Sequence, residues 1–144
     1  MTDKLELVRE RKLDELIPGK KKGDRLEASG VALIDDSTAA VIFDNLNVVA
    51  RVDLSLEPNE NNCLHPAPSL ADGFEDIAID HEGKRVFCMI ESMEDSDGKY
   101  RGFLSEYDQD FRFQRCARLS TTFETPNKGF EGLAFLRRGG DEYI

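Results

Sequence analysis

The residues of this 144-residue chain best suited to chemistry are four carboxylates, Asp44, Glu75, Glu91 and Glu131. Two of them hold the same place in a recurring octapeptide, Gly-Phe-Glu-Asp-Ile-Ala-Ile-Asp at 73–80 and Gly-Phe-Glu-Gly-Leu-Ala-Phe-Leu at 129–136. If 74–80 is a strand that turns at 81–84 and returns along 85–91, antiparallel pairing sets Glu75 almost opposite Glu91. The same construction brings Asp44 to Ser29-Gly30 in a degenerate first copy, 28–34, and puts Glu131 at the matching rim of the third. Oxygen ligands converging on one rim suit Ca²⁺ or Mg²⁺ rather than zinc, and crowded carboxylates can also hold a proton at neutral pH and serve as acid or base. A structural use stands beside these: a glutamate at a strand start can accept hydrogen bonds from the backbone amides of a neighbouring sheet.

The elements that must position these side chains are strands. Aligning the central alanines, Ala32, Ala78 and Ala134, gives spacings of 46 and 56 residues. Internal periods of about 40–50 residues with several strands in each are the mark of β-propeller blades. The second copy predicts a four-stranded meander over 74–80, 85–91, 101–108 and 111–119, with polar turns between. The first predicts strands at 29–34, 39–44 and 47–54, and the prolines at 58, 66 and 68 allow only a short or outer-edge fourth strand within 57–71. The third begins at Phe130, turns at 137–140 and runs on to Ile144. Val31-Ala32-Leu33, Ile77-Ala78-Ile79 and Leu133-Ala134-Phe135 are apolar on both sides, as expected of inner strands held between neighbouring blades.

We therefore expect an all-β chain of propeller blades, each a four-stranded antiparallel meander, incomplete at about two and a half blades over 27–144, after a charged N-terminal segment, 1–26. Missing blades or other copies are expected to close it; the competing topology is a small sandwich or open barrel. The N-terminal segment reads either as an amphipathic helix over 3–17 or as a strand through 5–8, ended by Pro18-Gly19.

Charge narrows the partners. The net charge is −10, but residues 1–26 carry eight Lys/Arg against six Asp/Glu, leaving eleven against twenty-three and a net −12 for the remainder. Such a body repels phosphates, so nucleic acid is not an expected partner, while cations and small polar ligands or proteins are. Lys20-Lys21-Lys22 reads as a solvated loop. With neither a long apolar run nor a secretory leader, no membrane insertion and a cytoplasmic location are expected.

Other motifs fail on spacing. Asp95-Ser96-Asp97-Gly98 would put Met93 and Leu104 at the first and twelfth positions of an EF-hand loop, so it reads as a hairpin turn. His65 and His81 stand alone, and no serine lies in a Gly-x-Ser-x-Gly elbow. Cys63, Cys88 and Cys116 form no zinc or disulfide pattern, and Cys88 and Cys116 read as buried strand residues.

The two octapeptides resemble the Glu-Gly-(Leu/Ile)-Ala strands of the phytase-like and SdiA-regulated β-propeller families, and Ala28-Ser29-Gly30-Val31-Ala32 is similar to the Ser-Gly-(Ile/Val) opening of their first blade. The resemblance covers about residues 27–144 and implies a propeller; the activities assigned within those families include phosphoester and ester hydrolysis. Ser29 departs from the glutamate pattern, so the first copy is not an equivalent ligand donor. Two function classes follow: a ligand-binding or interaction propeller with a divalent cation, Ca²⁺ or Mg²⁺, at its central channel, or a metal-assisted hydrolase using the same carboxylates. Whether the chain is an enzyme is left open by its residues. Glu75, Glu91 and Glu131 are the expected metal ligands, and Glu75, Glu131, Glu91 and Asp44 the expected ligand-binding set.

Overall fold

Two four-stranded antiparallel sheets form the body of the protein. They come from a computed structural model that describes residues 4–71, 73–126 and 128–144. The first sheet has the order β1-β2-β3-β4, with β1 (Ala28–Leu33), β2 (Thr38–Phe43), β3 (Leu46–Asp53) and β4 (Cys63–Pro66). The second repeats it as β5-β6-β7-β8, with β5 (Asp76–Asp80), β6 (Arg85–Glu94), β7 (Tyr100–Asp108) and β8 (Phe113–Phe123). A two-stranded hairpin follows, β9 (Leu136–Arg138) with β10 (Asp141–Tyr143). The expected blade meanders are therefore present, as an incomplete set: the described strands form no closed barrel.

The sheets pack face to face through one core, with the innermost strands β1 and β5 side by side. Alternation along β2 explains the layering. Ala40 and Ile42 point toward the second sheet, where they meet Phe74, Ile77, Val86, Cys88 and Ile90. Val41 and Phe43 point the opposite way and are covered, with Ala50 and Val52, by Leu13, Leu16 and Ile17 of the N-terminal segment. The second sheet is likewise apolar on both faces, since Phe87 turns away from the first sheet and stacks on Phe135 at 5.5 Å between centroids.

Three local expectations are corrected. Of the N-terminal segment only α1 (Leu13–Leu16) is helical, a single turn, and 5–8 is no strand. Leu5, Leu7 and Val8 are fully or nearly fully exposed, so no packed face exists to stabilise a longer helix; Asp3, where the helix reading starts, lies outside the described residues. Second, residues 130–135 carry no ladder: β10 offers three residues, which pair with 136–138. Third, β1 is not enclosed on both sides. Ala32 and Ile34 pack against the second sheet, while Val31 and Leu33 are exposed on the other face, beyond the reach of the N-terminal segment. The fourth strand of the first sheet is short and at the edge, as the prolines require.

Candidate functional site

The Gly-Phe-Glu motif is a docking element between sheets. Gly73 has a left-handed φ of 82°, and its backbone lies so close to Asp44, just past the end of β2, that a Cβ there would sit 2.9 Å from the Asp44 carbonyl carbon. The next residue, Phe74, donates its N–H to the Phe43 carbonyl at 2.9 Å and buries its ring completely in the inter-sheet core. Gly129 repeats the contact one unit later. A Cβ on it would sit 2.8 Å from both the carbonyl carbon and Cγ of Glu91 in β6, and Phe130 packs edge-on against Phe123. Each motif thus seats its glycine on the carboxylate residue of the preceding sheet, and its glutamate two residues later is carried to that same rim.

Glu75 also donates its backbone N–H to the Met89 carbonyl at 2.9 Å, which extends the β5–β6 ladder by one residue and sets Glu75 opposite Ile90, one residue short of Glu91. The electrostatics report the convergence. Burial, and then the charges of Asp44, Glu91 and Glu131, push the Glu75 carboxyl above the ordinary carboxylate range. Glu91 is raised by burial and by Glu131 and Asp44. Among the described residues, none of these four side chains accepts a hydrogen bond or pairs with a cation. Nor do any three His, Cys, Asp or Glu among the described residues lie close enough to hold one metal ion. The four sequence-derived residues are therefore brought into electrostatic contact, though as a like-charge cluster rather than a closed coordination shell. Asp44 and Glu131 are exposed, Glu75 and Glu91 half-buried.

The latch role offered to the glutamates is filled by other residues. Asp76 accepts the Leu133 N–H at Oδ2, 2.6 Å, and its own neighbour Ile77 N–H at Oδ1, 2.8 Å, so one carboxylate ties the second sheet to the third repeat. In the aligned copies the same position is Gly30 and Gly132, and a Cβ on Gly30 would fall 2.9 Å from Asp76 Oδ1. The Gly-Asp-Gly series down the alignment was the available signal. Ser29, the departure from the glutamate pattern, donates its hydroxyl to the Phe74 carbonyl and so joins the two inner strands.

At the other end of β5, sequence reasoning missed an ionic cluster. Asp80 is 2% exposed; it accepts Gly83 N–H at 3.0 Å, Arg85 Nε at 2.9 Å and Nη2 at 2.6 Å, and Arg137 Nη2 at 2.8 Å. Burial alone would raise its carboxyl, but the Gly83 amide and the two guanidinium groups outweigh that and hold it below the ordinary range. Arg85 lies over Phe87 and Phe135, and Arg137 over Phe135. The cross-strand pair Asp80↔Arg85 at the two ends of one hairpin could have signalled it.

The remaining motifs fall into place. Asp95 and Asp97 sit in the β6–β7 hairpin and are committed to Arg118 and Arg101, so the loop is a turn braced by ion pairs. Cys88 is fully buried as expected; Cys116 is half-exposed, because β8 is the outermost strand of its sheet and none of its residues is fully buried. No helix among the described residues is long and apolar enough to cross a membrane. Comparison with protein-family models, with curated proteins and with solved structures returns no match, so the chain's own geometry carries the functional reading.

Proposed function

We propose that this chain supplies blades of a ligand-binding or interaction β-propeller of the phytase-like kind, whose rim carboxylates Glu75, Glu91 and Glu131, with Asp44, bind a divalent cation or a cationic polar ligand. One observation carries the reading: carboxylates from successive repeats come together at one rim, where burial and the neighbouring charges raise the proton affinity of Glu75 and Glu91, and none of the four has a cationic partner among the described residues. A like-charge cluster costs stability unless a cation or proton neutralises it. Calcium is the favoured ion because the set supplies only hard oxygens, at partly exposed positions, and calcium is a large ion of adaptable coordination. The net −12 of residues 27–144 raises the local cation concentration.

The raised Glu75 and Glu91 carboxyls are also what a general acid requires, which makes a metal-assisted phosphoester or ester hydrolase the second reading. The test is thermal unfolding of the protein with and without calcium, with Glu75→Gln beside it. Binding to the native state alone should raise stability by about 2.7 kcal/mol at 100 times the dissociation constant, and Glu75→Gln should remove most of that gain. No calcium-dependent shift at millimolar ion refutes the cation site. Calcium-dependent turnover of p-nitrophenyl phosphate that is lost in Glu75→Gln would select the hydrolase.

A further inference from the structure

We propose that Cys63 is a reactive thiol, primed by His65 and Arg51, that takes small disulfides and alkylating electrophiles at the outer edge of the first sheet. Cys63 and His65 are two residues apart on β4 and share one face of it, with Cys63 Sγ 3.2 Å from His65 Nε2. Arg51 is the register partner of Cys63 on β3 and stands on that same face. Its guanidinium lies over the Phe111 ring at 5.7 Å, and no carboxylate among the described residues pairs with it. Among the described residues its side chain makes one hydrogen bond, a long one from Nη2 to the Gln109 carbonyl at 3.4 Å, and its buried Nε has no partner. A half-buried cation without a counter-ion thus stands next to a partly exposed thiol, in an open pocket of about 370 Å³ that all three side chains line.

His65 is held in place by its ring contact with Phe111, 5.4 Å between centroids. Burial, and then the Arg51 charge, lower its proton affinity, with Asp110 opposing them, and with its proton on Nδ1 the ring presents Nε2 to Sγ as the acceptor. Sγ also reaches the Asn61 carbonyl at 3.4 Å. Asp53 and Glu60 line the pocket too, without an ion pair to Arg51 among the described residues, and Asp53 Oδ1 accepts the Ser55 N–H at 2.8 Å. A thiol flanked by an imidazole acceptor and a guanidinium is the setting in which cysteines become nucleophilic. In the exchange, the Sγ proton passes to His65 Nε2 and Sγ attacks one sulfur of the small disulfide. One S–S bond forms as the other breaks, and the departing thiolate takes the proton from His65. The disulfide is the sole oxidant.

The chain carries its own controls. Cys88 is fully buried, and burial with the nearby Asp76 charge raises its thiol far above the ordinary range. Cys116 has intermediate exposure like Cys63, but among the described residues the hydrogen bond to its sulfur comes from the Ser105 hydroxyl, at 3.7 Å, and Arg118, two residues along, is committed to Asp95. Native protein treated with limiting iodoacetamide near neutral pH and mapped by peptide mass spectrometry should label Cys63 about tenfold or more faster than Cys116, and leave Cys88 untouched. His65→Gln and, independently, Arg51→Gln should bring Cys63 down to the Cys116 rate with the unfolding midpoint held. Cystamine in place of iodoacetamide should form its mixed disulfide at Cys63 first. Equal rates at Cys63 and Cys116, or a Cys63 rate unchanged in both variants, would overturn the assignment.

Discussion

Replacing Gly73 by alanine tests whether the repeated motif works by close approach of one sheet to the next. Two costs are predicted, and they can be separated. At φ 82°, an L-residue carries roughly 1–2 kcal/mol of backbone strain. The added Cβ must also occupy a point 2.9 Å from the Asp44 carbonyl carbon and 3.3 Å from Oδ1, and closer still to the carbonyl oxygen. That neighbour is backbone at the end of β2 and cannot rotate away, so the two sheets must part locally. Parting them stretches the Phe74 N–H to Phe43 carbonyl bond, worth about 0.5–1.5 kcal/mol, and loosens the fully buried Phe74 ring, whose burial is worth about 1.5–3 kcal/mol. If half of that burial is lost, the inter-sheet part comes to about 1–3 kcal/mol. Gly98 supplies the control: it has a similar φ of 75° and nothing within 4 Å of its would-be Cβ. Gly98→Ala should therefore cost only the backbone strain. Urea unfolding followed by circular dichroism should place the Gly73→Ala midpoint below that of Gly98→Ala by the inter-sheet part, with an unchanged slope. Equal losses in the two variants would refute the close-approach account of the motif.

Glu75→Gln should raise the urea midpoint in the absence of divalent ions, since it removes a charge that burial and three like charges disfavour. The matching pH effect has a fixed sign: a carboxyl raised in the folded state destabilises when ionised, so stability should climb as pH falls toward 4.5 and less so in Glu75→Gln, and a flat profile would contradict the clustering. Asp80→Asn should cost about 3 kcal/mol, the low end for breaking a buried pair because Arg85 and Arg137 keep some solvent contact; a loss under about 0.5 kcal/mol in urea titration would rule the cluster out as a latch. Because Asp80 is depressed in the folded state, its contribution is complete above pH 3.8 and disappears as acid is added below it, which an acid titration of wild type against Asp80→Asn should resolve. Tyr107→Phe should cost about 1 kcal/mol by removing the 2.8 Å hydrogen bond to the Pro68 carbonyl, read as a midpoint shift without change in ring packing.

Much of the architecture was legible because it rests on local periodicity. Alternation of apolar residues fixed the strands, polar turn residues fixed the hairpins, and prolines confined β4 to an edge; each depends on neighbours a few residues away. That the charges of Asp44, Glu91 and Glu131 act on Glu75 follows from repetition, which brings equivalent positions of successive copies toward one rim. What the repeat could not disclose is which carboxylate ties sheet to sheet. That fell to Asp76, because the aligned glycines at 30 and 132 leave room for its side chain to reach a backbone amide 57 residues away. The cluster of Asp80 with Arg85 and Arg137, the docking of Gly73 on Asp44 and of Gly129 on Glu91, and the meeting of Arg51 with Cys63 and His65 likewise depend on distances between segments remote in sequence. Only tertiary packing decides those, for a strand's pattern tells which face a side chain takes but not what lies across from it.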